Sequence, residues 1–455
     1  MLEGITRLLH RFRRDKRAVS NVLVVVLSLA ILVVIVSRVV LWSYEMNRLD
    51  WETMQEQIEI SNVTKATPEG WYNAEWNYRA PIVIDNTLNR NQLTDFQVLV
   101  EMDTASLITS GKMRENCEDI RFTDSDGVTL ISYWIESGVN SSNTRIWVKV
   151  PSIPAKSRKT IYVYYGNPDA ASESDMTEVL EEKYTKIDVR YKWTARVSTV
   201  DVANGDDRGS WQNIPFSFPF WREMKNRIYL CSNGFGLFDP TSPTNDYSNS
   251  LSELRNRWMI APFWDDLRTD VAGGIVSKPG VYVDSYSDHF VVTWEVTRYG
   301  DWRDSIKFQA ILYRNGDVRI NIDGATNFND FSPTLGISKG DNVNYWDITS
   351  ERKTYKSWLF TLRKYTYPEP KVSIGEEEVL DAGVLFEFRN TGSLTLQIVS
   401  LWINNSTRHE RYDVSLFINS GEKISYVRSD IDLPDKPYTV KAVTERGNIA
   451  VYSEN

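Results

Sequence analysis

Asp265 and Asp266 are the adjacent carboxylates in this sequence with the clearest capacity for chemistry. Glycoside hydrolysis needs two carboxyl groups converging on one bond. Neighbouring residues on a strand point to opposite faces. The run MIAPFWDDL (259–267) reads as a strand that stops at this pair. The expected role of Asp265 or Asp266 is therefore to end the strand and hydrogen-bond a turn. The next reading is that one of them binds Ca²⁺ with a loop partner, since carboxylate oxygens suit that ion. Asp124 and Asp126, ahead of Gly127, offer the same choice and at most a weak Ca²⁺ site. No other cofactor is expected. Three histidines, His10, His289 and His409, stand apart from one another. The sequence has no CxxC pair, HExxH helix, phosphate-binding glycine loop or serine nucleophile elbow. The residues point away from an enzyme.

Contact chemistry is better represented. The chain has 16 Trp and 23 Tyr, and aromatic faces can stack on sugar rings as well as fill cores. Trp134, Trp147, Trp264 and Trp294 stand in apolar strand contexts and are expected in cores. Trp211, Trp302 and Trp346 stand in polar stretches and are the candidates for ligand contact. N-glycosylation triplets occur at Asn62, Asn140, Asn404 and Asn405, all in polar stretches. The two cysteines, Cys117 and Cys231, fall in different segments and are expected to be buried and unbridged.

One long apolar element and many short strands must position these groups. Residues 22–42 read VLVVVLSLAILVVIVSRVVLW, interrupted only by Ser28, Ser37 and Arg38. About 20 such residues in a helix cross a bilayer. Arg7, Arg11, Arg13, Arg14, Lys16 and Arg17 precede it, so the positive-inside rule puts the N-terminus in the cytoplasm and the bulk outside. Beyond the span, Trp42, Met46, Leu49, Thr53, Met54 and Ile58 share one helical face, with Glu52, Glu56 and Glu59 elsewhere. The helix is therefore expected to continue to residue 62, either packing on sister helices or lying against its own exterior domain. The net charge of −9 argues against nucleic-acid binding.

From Trp71 onward the pattern is short and alternating: FQVLVEM (96–102), TRIWVKV (144–150), KTIYVYYG (159–166), GVYVDSYSDHFVVTWEV (280–296), KFQAILYRNGDVRINI (307–322). The Asn-Gly of RNGDVRI is a strong hairpin signal. Strands without intervening helices imply antiparallel sandwiches. The expected fold is mainly β: an N-terminal transmembrane and stalk helix followed by three antiparallel β-sandwich modules. The boundaries are a basic leader at 1–18, the helix at 19–62, and sandwiches at 71–169, 184–365 and 371–455.

Several motifs carry family resemblances. The junction DKRAVSNVLVVVL resembles the class III signal peptides of archaeal pilin-like proteins. That resemblance implies cutting between Ala18 and Val19 by a prepilin-type peptidase and sister pilin-like subunits as partners. Bacterial pilins carry Glu at the fifth mature position, where this chain has Leu23. Trp76–Arg79, Asp119–Phe122, Tyr133–Glu136, Ile146–Pro151 and Tyr162–Asn167 together resemble a β-sandwich domain of unknown function in archaeal and bacterial surface proteins, often beside concanavalin-like modules. SNGF (232–235), APFWDD (261–266) and the FQ…LY.NGD hairpin resemble the nidogen-like sandwich of extracellular adhesive proteins. Residues 371–455 resemble the small Ig-like terminal domain of archaeal surface proteins. Together these resemblances imply a membrane-anchored archaeal surface glycoprotein that contacts glycans or matrix, or serves as a pilin-like filament subunit. The alternatives are a ligand-free envelope protein and, further off, a glycan-active enzyme.

Overall fold

A computed structural model describes residues 16–238 and 244–455. His10 and most of the basic leader lie outside the described residues, as do the side chains of Ala18 and Val19. The chain divides into two compact units. One comprises Met1–Glu69 and Asp381–Asn455, the other Gly70–Leu380. The larger unit is thus an insertion within the smaller.

In the smaller unit a single helix runs from Lys16 to Gln55. Its portion from Asn21 is long and apolar enough to cross a membrane. The helix ends sooner than the expected residue 62. The segment Ile58–Lys65 is a strand, paired antiparallel with Val384–Asn390. The expected face overruns the helix because Ile58, the first strand residue, falls four places after Met54, a helical spacing. A β-bulge lies between Ile60 and Asn62. This strand, Val384–Asn390 and Lys423–Arg428 form one sheet. His409–Ile418, Leu396–Asn404, Tyr438–Thr444 and Ile449–Glu454 form the other. Between them lie Phe386, Phe388, Ile398, Leu401, Ile403 and Val440. The C-terminal sandwich therefore takes its edge strand from the residues just after the helix.

Only Glu56 and Gln57 separate helix from strand, and this link is clamped. Glu56, 3% exposed, accepts from Thr444 Oγ1 at 2.5 Å, Asn448 Nδ2 at 2.9 Å and Arg446 Nη1 at 3.1 Å. The backbone carbonyls of Gln55 and Gln57 accept from Ser393 N and Thr391 N. A Cβ on Gly392 would stand 2.4 Å from the Gln55 carbonyl oxygen, so the close approach requires glycine there.

The larger unit holds two sandwiches. In the first, Leu93–Met102, Thr144–Ile153 and Tyr133–Ser137 face a sheet built from Lys371–Ile374, Tyr78–Asp85, Arg158–Tyr165 and Arg121–Thr123, with Glu378–Val379 also on Tyr78–Asp85. Residues 371–379 thus belong here and not to the C-terminal module where the expected boundary put them. Strand-pairing partners nearly 300 residues away leave no local trace. The second sandwich packs a six-stranded sheet (Gly209–Phe220 to Tyr345–Asp347) on a seven-stranded one that includes His289–Arg298, Asp301–Tyr313 and Val318–Ala325. Trp294, Phe308, Phe263, Phe218 and Trp358 fill it. Trp134 and Trp147 of the first sandwich join this same core cluster, so the two sandwiches share continuous apolar packing. Between the two expected sandwiches, a short helix, Met176–Val179, is capped by Asp175.

Residues 190–208 have little regular structure and cross the outer face of the seven-stranded sheet as a strap. Beneath it lies a buried polar row. Ser357 Oγ donates to Asn321 Oδ1, Asn321 Nδ2 to Gln309 Oε1, and Gln309 Nε2 to Thr293 Oγ1. The strap satisfies the row through Gln309, which accepts from Thr194 N and donates to its carbonyl. Farther along, Ser198 N binds Asp284 Oδ1 and Gly205 N binds Thr269 Oγ1. The strap thereby delivers Asp206 and Asp207 to one end of the sheet.

Candidate functional site

The structure separates Asp265 from Asp266 at a bend that follows the strand. The strand Trp258–Trp264 stops, and Asp265 turns inward to 7% exposure. Its Oδ2 accepts from Ser332 N at 2.8 Å and its Oδ1 from Asp266 N at 3.0 Å. It is a structural carboxylate that ties two loops. Asp266 faces the other way and meets Asp206 and Asp207, with carboxylate oxygens of all three within 4.8 Å of one another. Asn233 organises the place. Its Nδ2 donates to Asp207 Oδ1 at 2.7 Å and its Oδ1 accepts from Leu267 N at 2.9 Å. The next residue, Gly234, has φ +80, and a Cβ there would lie 2.0 Å from the Phe263 carbonyl oxygen, which fixes glycine at this turn.

Electrostatics record the crowding. Burial, then the charges of Asp206, Asp207 and Asp265, push the Asp266 carboxyl up to about 6. Burial followed by the Asp207 charge also raises Asp206, whose Oδ1 is buried without a hydrogen-bond partner. Three half-buried carboxylates held together are the donor type that hard cations such as Ca²⁺ take. Only Asp266 of this trio stood out in the sequence. The Asp-Asp pair at 206–207 in NGDDRGS was the signal that could have found the rest.

Aromatic residues border the same end. Tyr299 N donates to the Asp266 carbonyl at 3.0 Å, and the Arg268 guanidinium lies 5.6 Å over the Tyr299 ring while paired with Asp270. Trp302, in the same hairpin, is 56% exposed. Its carbonyl and ring edge crowd Gly273, where any Cβ would collide. Of the three expected contact tryptophans, Trp302 alone presents an open ring. Trp211 is half-buried, edge-on to Tyr229 with Arg227 4.3 Å over its face. Trp346 packs against the main core and donates its Nε1 to the Tyr184 carbonyl at 2.7 Å. All three sit on strands, Gly209–Phe220, Asp301–Tyr313 and Tyr345–Asp347, not in polar loops.

The remaining candidates are dispersed. Asp124 pairs with Lys159 at 2.6 Å. Asp126 accepts from Val128 N, Thr129 N and Thr129 Oγ1, the hydroxyl bond foremost holding its pKa low. Both are therefore engaged in a turn. His289 pairs with Asp288 and stacks on Tyr286, and His409 lies edge-on to Trp402. Cys117 and Cys231 are buried and free. Asn140 is exposed in a tight turn with φ +56. Asn62 is half-buried opposite Glu387 on the strand after the helix. Asn404 is half-buried with an unpartnered Oδ1. Asn405 caps its own turn, accepting from Thr407 N and Arg408 N. Ala18 and Val19 lie within the helix Lys16–Gln55.

Comparison with known families agrees with this architecture in two stretches. Residues 179–370 match the family described as NIDO related, and residues 116–196 match a domain of unknown function, DUF2341. No curated protein is matched. The first match spans the second sandwich and its strap. The second begins inside the first sandwich, whose edge strands come from either side of it. The chain is thus similar to surface β-domain proteins through a nidogen-related and a DUF2341 segment, behind an N-terminal helix able to cross a membrane.

Proposed function

We propose that this protein is a membrane-anchored cell-surface adhesion protein whose inserted β-sandwiches contact glycans or matrix. One observation carries the reading: the apolar helix runs without a flexible linker into a sandwich that clamps it through Glu56. A removable secretory signal has no use for such a joint, whereas an anchor transmitting load does. Loaded from the far side, the strand Ile58–Lys65 is held along its length by Val384–Asn390. The basic residues before the helix favour an exterior bulk.

The contact surface in this reading is the end of the nidogen-related sandwich with Trp302, Tyr299 and the carboxylate trio. Its ligand class is a glycan, for which an exposed ring supplies a stacking face. A catalytic role finds less support, because Asp265 is committed to Ser332 and cannot join Asp266 at one bond. A prepilin-type peptidase acting at Ala18 belongs to the same proposal. The test has two parts. Protease added to whole cells should remove the bulk of the chain. The full protein in detergent should bind a glycan array and lose that binding in Trp302→Ala. A chain spared by external protease, or binding unchanged in the variant, overturns the respective half.

A further inference from the structure

The helix leaves its apolar span with a seam still exposed. From the last residue of the lipid-length run onward, Trp42, Met46 and Leu49 follow one another at spacings of four and three, which are alternating d and a positions of a heptad. None is covered; exposure ranges from 65% at Trp42 to 42% at Met46. In this register Glu45 occupies g and Asp50 occupies e, the positions that flank such a seam. Both are exposed. In a parallel pair of identical helices, g of one faces e of the next heptad on the other, so Glu45 would face Asp50 twice. Like charges in those places disfavour a second copy and favour a helix with basic flanks.

The end of the seam gives the same answer independently. Its next position, Thr53, is already occupied by the protein's own sandwich. The Thr53 carbonyl accepts from Asn448 Nδ2 at 2.9 Å, and Glu52 beside it pairs with Arg446. A symmetric parallel pair would bring two C-terminal sandwiches to one seam. A partner made of a membrane helix that stops short of this level meets no such obstruction.

We infer that residues 42–50 form a docking seam for a different membrane protein, one whose single helix carries Lys or Arg at the positions facing Glu45 and Asp50. The inference rests on the membrane-anchor reading above. Its partner is heterotypic, so it does not require filament formation.

The experiment reconstitutes the full chain, labelled at an added C-terminal cysteine, into phosphatidylcholine vesicles. Flotation with the vesicles checks the anchor separately; a chain that does not float fails on that reading and not on the seam. The probe is a dye-labelled peptide of residues 16–55 of this chain, in native form or carrying Glu45→Lys and Asp50→Lys. Energy transfer should show the lysine peptide binding the full chain roughly ten-fold more tightly than the native peptide. Leu49→Asn in the full chain should abolish the difference. Equal binding of both peptides would overturn the charge argument and restore a second copy as occupant. Absence of binding by either in vesicles that do float would overturn the seam and leave lipid as its cover.

Discussion

Replacing Asp266 by Asn should stabilise the nidogen-related sandwich at neutral pH, and the size follows from the trio. The Asp266 carboxyl stands at about 6 against an ordinary 3.8. A carboxylate whose folded pKa is raised binds its proton more tightly in the native state. Stability is therefore undiminished below the unfolded value, falls as pH rises from about 4 to about 6, and stays lowered above. Two pKa units correspond to roughly 3 kcal/mol at full effect. Asp266 is half-exposed, so solvent screening leaves about 1 kcal/mol. For a segment of this size that is about 2–4 °C in Tm. Wild type should lose this between pH 4 and pH 7.5, and Asp266→Asn should not. Hydrogen exchange in His289–Arg298 isolates this sandwich from the rest of the chain. Calcium titrated at pH 7.5 should offset the same repulsion in wild type, with an affinity in the weak extracellular range of about 10⁻⁴–10⁻³ M, and should have little effect on the variant. A variant no more stable than wild type at pH 7.5, or a wild type indifferent to pH across this window, would refute the reasoning.

Three further outcomes are expected. Glu56→Ala should cost the C-terminal sandwich about 2–3 kcal/mol by stranding the donors of Arg446 and Asn448, measured as loss of protection in Tyr438–Thr444. Trp302→Ala should change stability by less than about 0.5 kcal/mol, whereas Trp294→Ala, 1% exposed, should cost about 3–5 kcal/mol; urea melts monitored by circular dichroism separate the two. Replacing Gly70–Leu380 with a short Gly/Ser linker should leave the smaller unit folded and protease-resistant, because Ala66 N already reaches the Gly383 carbonyl at 2.7 Å, while deleting Ile58–Lys65 should make residues 381–455 protease-sensitive.

Where the sequence was legible, local physics sufficed. Alternation in KFQAILYRNGDVRINI marked two strands and their turn because one face of each is buried in a common core. The apolar run at 22–42 needs no partner to be recognised. The strand stops at the Asp265–Asp266 pair, as the end of its apolar run implies. What could not be read depends on distant chain. Ile58–Lys65 and Lys371–Ile374 pair with strands roughly 300 residues away, and Ile58 at a helical spacing from Met54 extended the apparent helix into the first. The carboxylate trio needed the strap to carry Asp206 and Asp207 to Asp266, and a segment without periodicity gives no hint of its path. Trp211 and Trp346 stand among polar neighbours, yet their rings are claimed by Arg227 and by the Tyr184 carbonyl, contacts that only the folded chain reveals.

The insertion of the larger unit also sets an order of events during synthesis. The strand Ile58–Lys65 leaves the ribosome early, and its partner Val384–Asn390 follows roughly 320 residues later, a wait of about 16 to 64 s at usual elongation rates. Until then the collar around Glu56 cannot close. A ribosome that stalls anywhere in the insert leaves a product with one raw β-edge just past the long helix, the kind of exposed template that invites mispairing. Closure of the last sandwich therefore serves as a completion mark: only a chain translated to its final strands acquires a sealed base.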